Sequence, residues 1–210
     1  EYSEILLGKG GGETEKQVYR FTDHGSRDVA LRFDLTVPFA RYMAEHRSEL
    51  VLPFKRYHIA KVWRGENTQR GRYREFTQCD FDIVGSESAA SDFEILLMMH
   101  DTLKAIGAGD ICIKLNHRGI FNRFLKRLEI EDQSVAILRL VDKLGKIGKE
   151  ETGRLLSEIV GDAKAARILD YIIPGNSFED SLEAITKAAG GPAEDTERLK
   201  CLRRFMLDAG

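Results

Sequence analysis

Three groups of residues in this sequence could do chemistry. In FTQCDFDI (76–83), Gln78, Asp80 and Asp82 alternate with Thr77, Cys79, Phe81 and Ile83, so a strand there gathers an amide and two carboxylates on one side. In VALRFDLT (29–36), Asp34 and Thr36 fall on the polar side, opposite Val29, Leu31, Phe33 and Leu35. Such groups could satisfy the N–H donors of a ligand that carries a primary ammonium. The same pattern also suits solvated residues on the open face of an antiparallel sheet. The third group is Arg64, Arg70, Arg72 and Arg74 with Tyr73 and Phe76. Guanidinium forks match phosphate oxygens and an aromatic ring can stack a purine, which points to a nucleoside triphosphate. An exposed charged loop or a general nucleic-acid patch would carry the same residues.

Other patterns carry less. Gly8, Gly10, Gly11 and Gly12 follow no strand and match neither a P-loop nor a dinucleotide fingerprint, so they read as a flexible turn. His24, His46, His58, His100 and His117 lack metal-ligand spacing; His58 is expected on the polar side of its strand and His100 packed against a helix. No Ser or Cys sits in a nucleophile signature. Cys79, Cys112 and Cys201 are far apart, which fits a reducing compartment.

The elements that must position these groups change character along the chain. Residues 17–85 read as strands, including 29–36, FKRYHIAKVW (54–63) and 76–83, with the basic loop RGENTQRGRYRE (64–75) joining the last two. Thr36 with Pro38 looks like a helix start, and Ser91 with Glu94 forms a capping-box pattern for a helix that Gly107 would stop. Ile111–Leu115 suggests one more short strand. Thereafter Ile120–Leu128, Gln133–Leu144, Lys149–Val160, Ala163–Ile173, Phe178–Ala189 and Glu194–Leu207 repeat apolar residues at helical spacing. The expected class is α+β: an antiparallel-sheet part over 1–117, then a small helical domain over 118–210.

Composition limits the function classes. The chain has 210 residues, 42% hydrophobic and 31% charged, with a net charge of −2, enough to bury a core and too apolar for disorder. No apolar run reaches membrane-span length, and the first residues contain no basic region or apolar core of a leader. Charge is concentrated instead: seven cations and one acid between Lys55 and Arg74 give +6, while 118–210 balances 16 Lys and Arg against 16 Asp and Glu. That favours one compact polyanion over an extended nucleic-acid face.

LRFDLTVPFARY (31–42), FKRYHIAKVWRGE (54–66) and RGRYREFTQCDFDIVG (70–85) together resemble the class II histidyl-tRNA synthetases, in the branch with D-L-T and C-D-F-D strings. Arg64-Gly65-Glu66, the basic loop and the strand from Phe76 match the family's motif 2, Glu1–Gly10 resembles the tail of motif 1, and VDKLGKIGKEE (141–151) resembles the family's helical insertion. The resemblance implies an antiparallel-sheet class II core, partial here, over 1–117 and the insertion over 118–210. It implies that Asp34, Thr36, Gln78 and Asp82 hold histidine. It makes Arg64 the catalytic arginine bridging the histidine carboxylate and the α-phosphate of ATP. Glu66 would meet the adenine amino edge, Phe76 would stack on the ring and Arg72 would reach the outer phosphates. The implied partners are L-histidine, ATP with Mg²⁺ and tRNA(His), with no side chain assigned as a metal ligand. The implied setting is a cytoplasmic homodimer.

The family's second histidine motif (R-G-x-x-Y-Y), motif 3 and anticodon-binding domain have no counterpart before the chain stops at FMLDAG, and most of motif 1 is missing. The expectation is a fragment with half an active site and little activity alone, doubtful as a dimer. Two other readings compete with the enzyme. A non-catalytic paralogue, such as the histidine-sensing regulatory subunit of ATP phosphoribosyltransferase, tends to lose the ATP-side residues, yet Arg64, Glu66 and Arg72 are present here. A general nucleic-acid module would explain the arginines but not Gln78 and Asp82.

Overall fold

Strands dominate the first unit, Glu1–Ser91, and helices the second, Asp92–Gly210. The computed structural model describes residues 1–8 and 13–209. Gly10, Gly11 and Gly12, read above as a flexible turn, lie outside them.

In the first unit the order is α1 (Ser3–Leu7), α2 (Glu13–Gln17), β1 (Arg20–Thr22), β2 (Asp28–Ala30), α3 (Thr36–Glu45), β3 (Phe54–Trp63) and β4 (Glu75–Val84). β1 and β2 form a small antiparallel pair, in register from Arg20 opposite Ala30 to Thr22 opposite Asp28. β3 and β4 form a longer hairpin, in register from Phe54 opposite Val84 to Trp63 opposite Glu75. The strand expected over 29–36 forms only as β2. Leu31 N–H donates to the Tyr19 carbonyl at 2.9 Å, Trp63 N–H donates to the Arg32 carbonyl at 2.8 Å, and the chain then leaves the sheet. Periodicity cannot supply a partner strand, and beyond Arg32 the segment has none.

Which side of the hairpin is covered also departs from expectation. The side with Thr77, Cys79, Phe81 and Ile83 looks like the core side by composition. Yet Tyr57 and Ile59 on that side are 79% and 59% exposed, and Cys79 is exposed too. Residues 31–35 and α3 lie over the other side, where Leu35 and Val62 are fully buried. The polar side is therefore the packed one within this unit.

α4 (Ala89–Ala105) begins as the first unit ends. Its cap is Ser88, not Ser91: the Ser88 hydroxyl accepts from Ala90 N–H at 3.2 Å and its carbonyl from Ser91 N–H at 3.0 Å. Ser91 is already helical and donates its hydroxyl to that of Ser86 at 2.7 Å. Gly107, at φ +75°, ends the helix region as expected. Ile111–Leu115 is not a strand, since among the described residues no strand runs beside it to supply hydrogen bonds. These residues belong to the second compact unit.

The remaining helices are α5 (Arg118–Arg127), α6 (Ser134–Val141), α7 (Leu144–Val160), α8 (Asp162–Ile172), α9 (Phe178–Ala188) and α10 (Glu194–Asp208). Their bounds follow the apolar spacing closely. Gly148, at φ +81°, breaks α7 after its first turn, and the buried Thr152 hydroxyl donates to the freed Gly148 carbonyl at 2.7 Å. Ile120, Phe124, Leu125, Ile137, Leu156 and Ile168 make a dry core, with the Phe124 and Tyr171 rings stacked at 4.4 Å. Burial of aliphatic and aromatic area of this kind is the main stabilising force of such a unit.

Polar contacts then fix the helix ends. Arg123 grips Asp195 with two parallel hydrogen bonds of 2.9 and 2.8 Å and donates to the Ala189 and Gly191 carbonyls. Arg127 donates to the Lys187 and Ala188 carbonyls, both at 3.0 Å. α5 thus satisfies the unpaired carbonyls at the end of α9 and holds the start of α10. The Arg123 hydrogen bonds keep the Asp195 carboxyl below the ordinary carboxylate range. With a depressed folded pKa, this contribution is present above the unfolded pKa and is lost as pH falls through the folded one. Arg123→Ala is expected to lower stability by about 2–3 kcal/mol in urea unfolding at neutral pH, because it strands a partly buried carboxylate. Asp195→Asn should flatten the acid limb of stability against pH; an unchanged acid limb would rule this pair out as its source.

Candidate functional site

The register of the hairpin decides which side chains meet. Arg56, His58, Ala60 and Val62 of β3 stand opposite Asp82, Asp80, Gln78 and Phe76 of β4, all on the covered side. A one-residue slip would send the whole set to the other side. Gln78 Nε2 donates to Asp80 Oδ1 at 2.8 Å, which turns its carbonyl oxygen toward Arg64.

Arg64 follows directly on β3. Its Nε donates to the Phe33 carbonyl at 3.2 Å, its Nη2 to Gln78 Oε1 at 3.3 Å, and its guanidinium lies 4.8 Å from the Phe33 ring centroid and 5.2 Å from that of Phe76. A planar cation held between two rings and two acceptors loses little freedom when it receives an anionic ligand. Arg56 makes a similar arrangement eight residues earlier, near the other end of β3. Its Nη2 donates to the Leu35 carbonyl at 3.0 Å and lies 2.9 Å from Asp82 Oδ2, with the guanidinium 4.0 Å over the Phe39 ring.

Between these arginines the 31–36 segment delivers Asp34 and Thr36. Asp34, not Thr36, caps α3: its Oδ1 accepts from Thr36 N–H at 3.1 Å and Val37 N–H at 3.0 Å. Thr36 is the first helical residue and is exposed. The loop after β3 is closed by Arg64 N–H to the Arg74 carbonyl at 2.9 Å and by a tight turn between Gln69 and Arg72. Gly71 within that turn, at φ +80°, occupies a conformation other residues adopt at a cost.

Arg64, Glu66, Gly71, Arg72, Tyr73 and Phe76 line a pocket of about 260 Å³. All four residues expected to contact ATP are therefore together. Glu66 and Arg72 are paired at 2.8 Å across it. The residues expected to hold histidine form the adjoining ground: Gln78 touches Arg64, Asp82 touches Arg56, and each arginine holds a carbonyl next to Asp34. His58 shares their side, as expected; His100 is half-buried and lies 3.1 Å from Asp101.

Sequence reasoning missed one residue that shapes this ground and one that closes the hairpin on its other side. Arg56 counted only as charge, although its position directly opposite Asp82 follows once the hairpin register is drawn. Glu75 closes the loop end of the hairpin by accepting from Trp63 Nε1 at 2.9 Å and from Lys61, and these bonds hold its carboxyl below the usual range. With Arg56, Lys61 and Arg72 each paired to a carboxylate, the +6 stretch offers a ligand less free charge than the sequence total suggests. A larger recess of about 700 Å³ between α9 and α10 contains none of the expected site residues. Among the described residues, no three His, Cys, Asp or Glu side chains gather to hold a metal ion, and no helix is long and apolar enough to cross a membrane.

The chain is similar in sequence and fold to known proteins. The family model described as histidyl-tRNA synthetase matches residues 1–205. Histidine–tRNA ligase of Treponema denticola is 56% identical over the whole of this chain and 48% of its own length. That of Treponema pallidum is 50% identical over 98% of this chain and 48% of its own. The chain thus spans about half the length of the curated relatives it matches. Among solved structures, histidyl-tRNA synthetase from Nostoc sp. PCC 7120 superposes with a TM-score of 0.80 at 27% identity, over 99% of this chain and 48% of that one. An ATP phosphoribosyltransferase regulatory subunit/histidyl-tRNA synthetase from Bacillus halodurans gives 0.77 over 99% of this chain and 54% of that one, at 18% identity, a likeness of fold alone. The α+β class and the class II synthetase-like core expected from the strings stand on these findings.

Asp34 both caps a helix and is expected to bind a ligand, and substitution separates the two roles. Asp34→Ala is expected to cost about 1 kcal/mol in urea unfolding, and Asp34→Asn only a few tenths, because asparagine caps nearly as well. Equal losses in both variants would show that the charge, not the cap, supports α3.

Proposed function

The chain belongs to the histidyl-tRNA synthetase family, and we propose that it carries the histidine- and ATP-binding half of a histidine–tRNA ligase active site. The observation that carries this reading is Arg64. It is held by Phe33, Phe76 and Gln78 where the Gln78–Asp82 side of the hairpin meets the pocket containing Glu66, Arg72 and Phe76. One guanidinium at that border can hold the amino-acid carboxylate and the α-phosphate together.

In the proposed reaction the histidine carboxylate attacks the α-phosphorus of ATP in line. An acyl–phosphate bond forms, the α–β bridging bond breaks, pyrophosphate leaves, and histidyl-adenylate is ready for transfer to tRNA(His). Asp34, Thr36, Gln78 and Asp82 receive the ammonium and imidazole N–H groups. Phe76 stacks on adenine and Glu66 meets its amino edge. Arg72 leaves Glu66 for the outer phosphates, so ATP binding exchanges one charge pair for another. Such chemistry needs orientation and charge stabilisation more than a general base, in keeping with a site of arginines, acids and amides. ATP is taken as its Mg²⁺ complex, the ion held by phosphate oxygens and water, which asks for few protein ligands. Residues 1–117 are assigned to the catalytic core and 118–210 to the helical insertion, within a cytoplasmic protein that is a homodimer when complete.

Arg64→Ala, in a chain of the relatives' length carrying this segment, is expected to reduce histidine-dependent ATP–pyrophosphate exchange by about 10²–10³-fold. Near-normal exchange in a folded variant would defeat the assignment. The 210-residue chain alone should show little exchange.

A further inference from the structure

The first unit contains a second buried arginine, Arg56, that the proposed reaction does not use. Its side chain is 11% exposed, against 29% for that of its partner Asp82. Its hydrogen bond goes to the Leu35 carbonyl at 3.0 Å, while Asp82 Oδ2, at 2.9 Å, lies beside the guanidinium outside hydrogen-bond alignment. Arg56 Nε and Asp82 Oδ2 are both buried without a hydrogen-bond partner. The guanidinium therefore contributes its direction to the backbone next to Asp34 and Thr36, and its charge to Asp82. Stacking 4.0 Å over Phe39 fixes it to α3 as well.

We propose that Arg56 is the positioning residue of the amino-acid site, setting the distance between the Asp34–Thr36 segment and Asp82 and biasing the site toward a neutral N–H donor. This rests on the histidine-binding reading of Asp82. A carboxylate paired with a mostly buried cation can accept from an uncharged ring N–H, yet offers little Coulomb attraction to a cationic side chain. Without Arg56 the carboxylate would be unbalanced and the segment untied. Affinity for histidine should fall and discrimination against lysine and arginine should weaken, while the ATP pocket, lined by other residues, should be unaffected.

The test is steady-state pyrophosphate exchange in a chain of the relatives' length, with thermal unfolding run in parallel. Arg56→Gln is expected to raise KM for histidine about 10- to 100-fold, the range of a charge-assisted contact, with KM for ATP unchanged. Inhibition by free lysine or arginine should strengthen. Asp82→Asn should also raise the histidine KM, and the double variant should lose less than the two single losses combined, since Arg56 acts in part through Asp82. Arg56→Lys keeps the charge but loses the planar guanidinium that stacks over Phe39 and aims Nη2 at both Leu35 and Asp82, so its KM should fall between wild type and the Gln variant. A folded Arg56→Gln with unchanged histidine KM, beside an Asp82→Asn that raises it, overturns the proposal and leaves the site reading intact. An Asp82→Asn without effect overturns the site reading and this one with it. If Arg56→Gln does not fold, Arg56→Lys decides: a wild-type KM for histidine overturns the proposal.

Discussion

Two guanidinium groups hold the first unit together at the place where regular structure runs out. After Arg32 the chain leaves the sheet with no strand to pair with; Arg64 takes up the Phe33 carbonyl, and Arg56 adds a second bond to the Leu35 carbonyl, which also accepts from Phe39 N–H of α3. Each arginine also touches β4, at Gln78 and Asp82, so side chains on and just after β3 tie this segment to the hairpin. Hydrogen bonds from a charged donor contribute about 1.5–3 kcal/mol each, more than neutral ones. The fully buried Leu35 and Val62 lie in the same layer and keep water from competing for those carbonyls. A segment fixed by side chains rather than by a ladder can present polar groups at its surface without surrendering them to neighbouring strands. Asp34 is placed in that way.

The second unit solves a related problem with the same residue type. Helix ends leave carbonyls unpaired, and Arg123 and Arg127 of α5 reach those at the end of α9 while Arg123 also grips Asp195 on α10. α9 and α10 are thereby tied to α5 at their facing ends, beside the apolar core that includes Phe124, Ile137 and Leu156. In both units, then, arginine joins backbone carbonyls to a polar side chain of another element. In the first, the result coincides with a surface suited to anions and N–H donors. In the second it is structural.

Much of this was legible in the sequence, and the exceptions have physical causes. β3, β4 and the six later helices appear close to their expected bounds because two-residue and helical apolar spacing is a property of the elements themselves. Sequence overstates the strand at 29–36 and invents one at 111–115 because spacing describes a strand's faces but not the presence of a neighbour. Ser91 looked like a cap by its partner Glu94, yet Ser88, three residues earlier, offers both hydroxyl and carbonyl to the first turn. The covered side of the hairpin was misjudged because Thr77, Cys79, Phe81 and Ile83 look apolar by type, whereas cover depends on where α3 and its lead-in lie. The residues expected to contact ATP lie together, since a loop between two paired strands cannot separate its own ends. Arg56 stayed hidden because its importance depends on cross-strand register, which spacing within one strand does not reveal.

Register also divides the chain into positions that tolerate changes of length and positions that do not. Arg56, Arg64, Gln78 and Asp82 share one side only because ten pairs run unbroken from Phe54 opposite Val84 to Trp63 opposite Glu75, with Arg64 following directly on β3. Residues added between Glu66 and Arg74 lengthen an exposed connection and leave every one of those pairs in place, at a loop-closure cost that grows only slowly with length. A single residue lost inside β3 or β4 turns half of a strand over and sends part of the set to the side where Tyr57 and Ile59 stand. Over evolutionary time, gaps in this stretch should therefore accumulate in the connection while the strand lengths stay fixed.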